Sequence, residues 1–289
     1  MDLKSYIEEI ESKKLNVEGI IVYQRGRELA QHRWIPEARR VIWSVSKSFV
    51  SIAAGIAIDE GKLKLSDRLT KFFPRKKADL RWDSLNLEHL LTMTMGLGEI
   101  ITPQNLKKSL SYELSRDPGS YFLYDNNCTF LISAMLTKAT GLKLRDYLID
   151  RLFHPLGIPD PNWPESKDGY TIGWTGLELT TSELSLFGRF LLSKGKWEGK
   201  QLVSASWIEA ATRTQVSTRP SEDVSDKDVG YGYQFWTCRF GAYRCDGRDG
   251  QFIVVFPALD AVISINSSQE NPKHILWAIW DHILPQLKG

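Results

Sequence analysis

Two side chains near the start of the chain are spaced for acyl transfer through a serine. Ser44 and Lys47 form an S-x-x-K pattern at the beginning of a run, residues 44–60, that is apolar almost all round. Such a run predicts a buried helix, with the hydroxyl and the amine one turn apart on the same face. A serine hydroxyl becomes a good nucleophile when a base takes its proton. Burial lowers the pKa of a lysine, so Lys47 is a candidate for that base.

The S-x-x-K pattern has little value without its context. About two matches are expected by chance in this composition, and a second one does occur, from Ser193 to Lys196. The second match lies among glycines and lysines, so we interpret it as the end of a helix and a turn. For the first match an alternative also stands: Ser44 caps a helix and Lys47 extends its amine to solvent.

A Y-x-N pattern at Tyr124 and Asn126 adds a second group of reactive side chains. It follows a turn at residues 117–119 and precedes a helical period at residues 130–138, which places it on a loop. A phenol that faces a lysine ammonium is expected to have a lowered pKa, and its phenolate can then shuttle protons. The Asn126 amide can orient the lysine or bind a substrate carbonyl. The alternative is a helix-entry asparagine beside a packed tyrosine.

Other kinds of catalytic site are excluded by their missing patterns. The chain has no G-x-S-x-G element, which argues against an α/β-hydrolase layout. Its five histidines form no H-x-x-x-H or H-x-H pair, so a zinc hydrolase is not expected. A Gly-rich loop that joins a strand to a helix as a phosphate cradle is also missing. We therefore expect neither a metal nor an organic cofactor.

Composition limits the partners and the compartment. A net charge of +2 without a long basic run argues against binding to nucleic acid or to an anionic membrane. The sequence contains no stretch of 18 apolar residues, the length needed to span a bilayer. Acidic residues stand where a secretory signal would be apolar, and the three cysteines are odd in number, which together predict a reduced, cytoplasmic protein unless a signal was removed. The expected partner is a small-molecule substrate, and the oligomeric state has no signal.

The order of strand and helix patterns predicts the fold class. Residues 17–34 read as a β-hairpin, residues 65–202 show helical periods, residues 233–266 return to strands, and residues 271–286 form a last helix. Strands at both ends with helices between them predict an α/β protein of the α+β type. Its antiparallel sheet would be built from both termini and flanked by helices, and an all-helical lobe would be inserted.

These patterns also predict two domains. Residues 1–66 and 203–289 would form the sheet domain, and residues 67–202 the inserted, mainly helical domain. Pockets usually form in the cleft between such lobes, where residues from both can meet.

The motifs, taken in order, resemble the serine β-lactamase and penicillin-recognising hydrolase superfamily. The nearest branch is that of class C β-lactamases, their esterase relatives of the family VIII type and nylon-oligomer hydrolases. The similar segments are residues 42–49 (IWSVSKSF), 89–97 (HLLTMTMGL), 118–126 (PGSYFLYDN), 154–157 (HPLG) and 231–233 (YGY). The resemblance implies a β-lactamase/transpeptidase-like fold, Ser44 as the acylated nucleophile and Lys47 as its base. It also implies that Tyr124 exchanges protons with the leaving group and the deacylating water, and that Asn126 contacts Lys47 or substrate.

The third motif of the superfamily, K-T-G or H-x-G on an edge strand, is altered here. Residues 167–169 fit K-x-G, but they precede the C-terminal strands and are interpreted as a loop of the helical lobe. Residues 245–248 (CDGR) align best by position. Gly247 would let substrate approach the strand, and the resemblance implies an oxyanion hole made by the backbone N–H groups of Ser44 and Arg248.

The altered motif decides which substrate class we predict. Without its lysine, the cation that would hold a β-lactam carboxylate is lost, and Asp246 would repel that carboxylate if it faced the site. Strand alternation puts Arg244 and Asp246 on one face but leaves open whether Arg244, Asp246 or Arg248 faces the site. We predict a serine hydrolase of a small ester or amide. The alternatives are a β-lactamase or D-alanyl carboxypeptidase-like penicillin-binding protein, and a catalytically silent ligand-binding module.

Overall fold

The computed structural model describes residues 1–74, 79–218 and 230–288. Its strands are β1 (Val17–Gln24), β2 (Arg27–Arg33), β3 (Arg40–Val41), β4 (Glu178–Leu179), β5 (Lys196–Trp197), β6 (Lys200–Gln201), β7 (Gly230–Tyr231), β8 (Trp236–Thr237), β9 (Tyr243–Asp246), β10 (Phe252–Phe256) and β11 (Ala261–Ser267). Its α-helices are α1 (Lys4–Ser12), α2 (Ser46–Asp59), α3 (Leu69–Phe72), α4 (Leu80–Ser84), α5 (Leu87–Leu91), α6 (Leu106–Ser109), α7 (Asn126–Thr140), α8 (Leu144–Leu148), α9 (Thr181–Leu192), α10 (Ala205–Thr212) and α11 (Lys273–Ala278).

A seven-stranded antiparallel sheet joins the two ends of the chain. Its strand order is β2-β1-β11-β10-β9-β8-β7, so β1 pairs with the last strand, β11. The hairpin between β1 and β2 turns at Arg25 and Gly26, which both have positive φ, at 50° and 79°, as a tight hairpin turn of this hand requires. The predicted fold class, an antiparallel sheet built from both termini and flanked by helices, is confirmed.

Both faces of the sheet are covered. On one face, α1 and α11 pack their apolar side chains, among them Tyr6 and Ile275, against β1, β10 and β11. On the other face lies α9, where a Cβ added to Gly188 would come within 2.5 Å of Val262, so a glycine is needed for the close approach of helix and sheet. Burial on both faces explains why β10 is apolar throughout and why even Ser264 and Asn266 of β11 are buried.

The segment between β2 and β7 is mainly helical but not wholly so. Two small two-stranded ribbons, β3 with β4 and β5 with β6, lie beside the helices, and an all-helical insert was therefore the wrong expectation. Two-residue strands leave almost no alternation for a sequence pattern to detect. One apolar core continues from α2 through α7 and α9 to the sheet, so the domain boundaries at 66/67 and 202/203 remain a prediction.

The buried helix α2 begins later than its sequence pattern indicated. Residues Trp43–Val45 form a 3₁₀ turn, and α2 itself starts at Ser46, with Val45 at its N-cap. Ser44 is thus not the helix cap, which removes that alternative. The helix is buried along most of its length and is followed by Gly61 at φ 70°, a common helix stop. Among the described residues no helix is long and apolar enough to cross a membrane.

The C-terminal strands and the last helix are shorter than predicted. Within residues 233–266, where strands were expected, β8 covers only Trp236–Thr237, and a 3₁₀ turn at Arg239–Gly241 with Phe240 at φ 61° separates it from β9. The last helix changes from α11 to a π-helical turn at Ile279–Ile283. The 3₁₀ and π-helical turns differ from their neighbours in local backbone hydrogen bonding, which the periodicity of apolar residues does not predict.

Candidate active site

Lys47 and Ser44 are in direct contact at the start of α2. The Lys47 Nζ donates to Ser44 Oγ at 2.8 Å, to Asn126 Oδ1 at 2.9 Å and to the main-chain carbonyl of Trp174 at 3.1 Å. The lysine is 1% exposed, and Ser44 is half-buried. Three acceptors therefore hold the amine against the serine hydroxyl, and Lys47 does not extend to solvent.

Burial makes Lys47 a weaker base than an ordinary lysine. Loss of solvation lowers the pKa of its ammonium to about 7, and the negative charge of Asp125 opposes this shift more than that of Asp246 does. A large fraction of Lys47 is consequently neutral at neutral pH. A neutral amine 2.8 Å from Ser44 Oγ is able to take the hydroxyl proton.

Tyr124 is carried to this pair by the loop that precedes α7. The Leu123 amide donates to the Met93 carbonyl at 2.9 Å, and Gly119 donates to the Thr94 carbonyl at 2.8 Å. Met93 and Thr94 belong to the segment 89–97 that the resemblance singled out. This segment is thus the support on which the tyrosine loop lies.

The Tyr124 side chain is enclosed by aromatic rings and reaches the serine. The Ser44 hydroxyl is close enough to the phenol to lower its pKa, and the Lys47 Nζ lies 4.9 Å from the ring centroid. Trp236 stacks on the ring at 5.3 Å, and Tyr231 meets it edge-on at 5.9 Å. The rings fix the orientation of the phenol relative to Ser44.

The expected phenolate character of Tyr124 is wrong. Burial raises the pKa of the phenol well above its ordinary value, the nearby Ser44 hydroxyl lowers it by less, and the negative charge of Asp246 adds a further, smaller increase. The lysine lies over the ring face and is close to neutral itself, so it does not favour the phenolate. Tyr124 therefore keeps its proton at neutral pH and is suited to donate it.

Asn126 and Trp174 complete the lysine's surroundings. Asn126 is the first residue of α7, and of its two predicted roles the structure shows the contact with Lys47. The Trp174 carbonyl was not predicted in this position, since a main-chain oxygen leaves no pattern in a sequence. Asp125, the N-cap of α7, was also missed, although an aspartate before a helical period is a recognisable cap signal.

The end of β9 lies beside the turn that carries Ser44. A Cβ added to Gly247 would come within 2.8 Å of the Ile42 carbonyl oxygen, so the absence of a side chain allows this approach. The Gly247 amide donates to Gln251 at 2.8 Å. The next amide, that of Arg248, has no hydrogen-bond acceptor among the described residues.

The charged side chains of β9 are arranged as an ion pair. Arg244 Nε donates to Asp246 Oδ2 at 2.9 Å, as their predicted position on one strand face allows. Arg244 is buried, whereas the Asp246 side chain is 15% exposed. The Arg248 guanidinium is 72% exposed and lies 5.3 Å from the Trp43 ring centroid. The pairing with Arg244 reduces the repulsion that Asp246 would exert on an anionic substrate. The negative charge of Asp246 still raises the pKa values of Lys47 and Tyr124.

The competing sequence matches lie on the surface. Ser193 and Lys196 are exposed at the end of α9 and in β5. Lys167 and Asp168 are exposed in a turn, where Asp168 Oδ2 accepts from the Leu106 amide at 2.7 Å. Across residues 1–74, 79–218 and 230–288, no group of three or more His, Cys, Asp or Glu side chains could hold a metal ion.

Comparison with known proteins shows which class of protein has this fold and these side chains. The Beta-lactamase family model matches residues 12–282, so the chain belongs to the β-lactamase family. This confirms the resemblance identified from the sequence motifs.

Individual relatives carry two different names. A β-lactamase of Escherichia coli (strain K12) is 27% identical over 208 residues, which are 68% of this chain and 52% of that protein. A 6-aminohexanoate-dimer hydrolase of Paenarthrobacter ureafaciens is 23% identical over 272 residues, which are 84% of this chain and 69% of that protein. The chain thus spans about half of the length of the first relative and about two thirds of the second.

A solved structure has the same fold over almost the whole chain. The crystal structure of a β-lactamase from Mycobacterium bovis superposes with a TM-score of 0.74 at 21% sequence identity, and the match covers 98% of this chain and 99% of that one. At this identity the similarity establishes the fold.

Proposed function

We propose that this protein is a serine hydrolase that cleaves a small ester or amide through an acyl-enzyme on Ser44. The observation that carries the proposal is the contact of Ser44 Oγ with a buried lysine amine at 2.8 Å. Burial lowers the pKa of that amine to about 7. The phenol of Tyr124 keeps its proton and lies near the same hydroxyl. A nucleophile, a base and an acid are therefore brought together at Ser44.

In the acylation step neutral Lys47 takes the Ser44 proton while Oγ bonds to the substrate's carbonyl carbon. The carbonyl oxygen becomes negative and is held by the amides of Ser44 and Arg248. As the carbonyl reforms, the bond to the leaving group breaks and Tyr124 gives its proton to the leaving alcohol or amine. The Lys47 ammonium then returns a proton to Tyr124, so both groups regain their starting state.

In the deacylation step a water molecule replaces the leaving group. Water loses a proton to Tyr124 while Tyr124 passes its own to Lys47, and the hydroxide oxygen bonds to the acyl carbon. The bond from that carbon to Ser44 Oγ then breaks, and the proton returns from Lys47 to Ser44. The product acid leaves, and no group outside this chain and the water is needed.

The third motif favours an ester or amide over a β-lactam. Cys245 stands where the superfamily pattern has lysine, Arg244 is engaged by Asp246, and the Arg248 guanidinium is largely exposed beside Trp43. The side chains at these positions are therefore poorly placed to bind the carboxylate of a β-lactam. The name of the Paenarthrobacter ureafaciens relative gives an amide, the 6-aminohexanoate dimer, as its substrate. The name of the Escherichia coli relative makes β-lactam hydrolysis the second candidate.

A comparison of two chromogenic substrates tests this preference. We expect kcat/KM for p-nitrophenyl acetate or butyrate to exceed kcat/KM for nitrocefin, because nitrocefin carries the carboxylate that β9 holds poorly. Both values are measured on the full chain by absorbance under identical conditions. Faster turnover of nitrocefin would reverse the order and make β-lactam hydrolysis the better proposal.

Tyr124→Phe tests the role of the phenol as the proton donor. The substitution is expected to lower kcat for an alkyl ester or an amide by about 10²-fold or more, since their leaving groups must be protonated and a positioned general acid contributes about that much. The ring contacts with Trp236 and Tyr231 are retained, so the melting temperature should change little. Tyr121→Phe, in the same loop and 39% exposed, is the matched control with unchanged kcat. An unchanged kcat in Tyr124→Phe would remove this residue from the mechanism.

A further inference from the structure

Asp125 is a buried carboxylate between two side chains of the site. It follows Tyr124 and precedes Asn126, and it is 1% exposed. Its Oδ1 accepts from the Asn127 amide at 2.8 Å, and its Oδ2 accepts from the Ile101 amide at 2.5 Å. One carboxylate therefore caps α7 and ties the segment around Ile101 to the start of that helix.

Asp125 is the chain neighbour of a residue that holds Lys47. The three hydrogen-bond acceptors of Lys47 are all neutral, and one of them, Asn126, directly follows Asp125. A buried ammonium is strongly disfavoured without an anion near it. Asp125 opposes the effect of burial on Lys47 more than any other negative group described around it. The carboxylate therefore acts on the lysine through its charge and not through one of the lysine's hydrogen bonds.

We propose that Asp125 is a positioning residue of this site, whose charge sets the proton affinity of Lys47 and whose two hydrogen bonds place Tyr124 and Asn126 around it. The catalytic consequence rests on the proposed function, but the electrostatic effect on Lys47 does not. Asp125 touches neither Ser44 nor a substrate carbonyl in this arrangement. It acts through Lys47 and through the start of α7.

Several other groups face Lys47 and bear on the same equilibrium. On α7 the Cys128 thiol lies near, and burial raises its pKa so that it stays neutral. On β9 Asp246 is paired with Arg244, and on the loop before α7 Tyr124 is protonated. Burial raises the pKa of Asp125 itself to about 6, against the hydrogen bonds from the Ile101, Asn127 and Cys128 amides. Above that pH Asp125 is ionised, and its negative charge has the largest effect on the pKa of Lys47 among the acidic groups around the lysine.

The sign of the expected change follows from the charge. Removing the Asp125 carboxylate destabilises the ammonium form of Lys47, so the pKa of Lys47 falls. In the wild type the lysine becomes protonated as the pH drops through about 7, and kcat/KM should fall with it. Without the carboxylate this decrease should begin at lower pH. A shift of about one pH unit is typical when one nearby opposite charge is removed.

The test uses Asp125→Asn and Asp125→Ser, because both side chains keep a good N-cap while they remove the charge. The titration of Lys47 is followed by NMR of protein labelled at the lysine ε-carbon, with the Lys47 signal assigned by its loss in Lys47→Ala. The acid limb of kcat/KM for p-nitrophenyl butyrate is measured in parallel. Asp168→Asn, which also removes an exposed carboxylate that accepts a backbone N–H, is the matched control and should leave both midpoints unchanged.

We expect both Asp125 variants to lower the Lys47 midpoint and the acid limb by about one pH unit. Midpoints that stay where they are in the wild type, or that rise, in a folded variant would overturn the proposal, since a cap alone would change stability and not the lysine. If the wild type hydrolyses no ester or amide, the proposed function fails, and the NMR midpoint still decides the role of Asp125.

Discussion

Lys47→Ala is expected to lower kcat/KM for p-nitrophenyl butyrate by about 10⁴-fold, the scale seen when a general base is removed from a serine nucleophile. The amine is the group nearest to Ser44 Oγ, at 2.8 Å, and burial lowers its pKa to about 7. Without it the hydroxyl keeps its proton at neutral pH. The change is measured by steady-state kinetics, with circular dichroism to show that the variant is folded.

The second S-x-x-K match provides a control for Lys47→Ala. Ser193, at the end of α9, and Lys196, in β5, are both exposed. Ser193→Ala and Lys196→Ala should therefore have the activity of the wild type. Lys47→Arg should be nearly as inactive as Lys47→Ala, since a guanidinium stays charged and cannot accept a proton. A damaging Ser193→Ala beside an active Lys47→Ala would show that the wrong match was chosen.

Ser44→Ala is expected to abolish covalent labelling by a fluorophosphonate probe and to reduce ester turnover by about 10⁴-fold or more. The probe phosphonylates an activated serine and expels fluoride, so its adduct adds a defined mass to the intact protein. Among the described residues, the Ser44 Oγ accepts from the buried amine of Lys47, and the Tyr124 phenol lies near it.

Two comparisons make the labelling result decisive. Ser46→Ala, two residues along and fully buried, removes a hydroxyl from the same segment and should still be labelled at Ser44. A wild-type protein that forms no adduct under conditions where it is folded would favour a silent ligand-binding module. An adduct that persists in Ser44→Ala would place the nucleophile elsewhere.

Patterns confined to a short stretch of sequence were predicted well. The hairpin of β1 and β2 needs only two apolar runs and a turn that accepts positive φ at Arg25 and Gly26. The pairing of Ser44 with Lys47 needs only the pitch of one helical turn. The exception within this stretch is the 3₁₀ turn at Trp43–Val45, which differs from α-helix by a single hydrogen-bonding step.

The partners of each charge could not be predicted from their own neighbourhoods. Alternation placed Arg244 and Asp246 on one face, but their ion pair and their unequal burial depend on how β9 packs between β10 and β8 in the folded sheet. The Trp174 carbonyl reaches Lys47 from 127 residues away. A contact of that range is chosen by the packing of whole elements, and a main-chain oxygen carries no residue type to signal it.

The amino-acid sequence by itself determined the family and the antiparallel sheet made from both ends, and it singled out the side chains that we propose as nucleophile, base and acid. Each of these depends on residue type, local period or the order of motifs along the chain. Only the tertiary structure decided their protonation and their charge partners: a neutral phenol at Tyr124, a weakly basic Lys47 and a buried Asp125 beside it. Proton affinity depends on solvation and on charges brought close by folding, and neither exists in the unfolded chain.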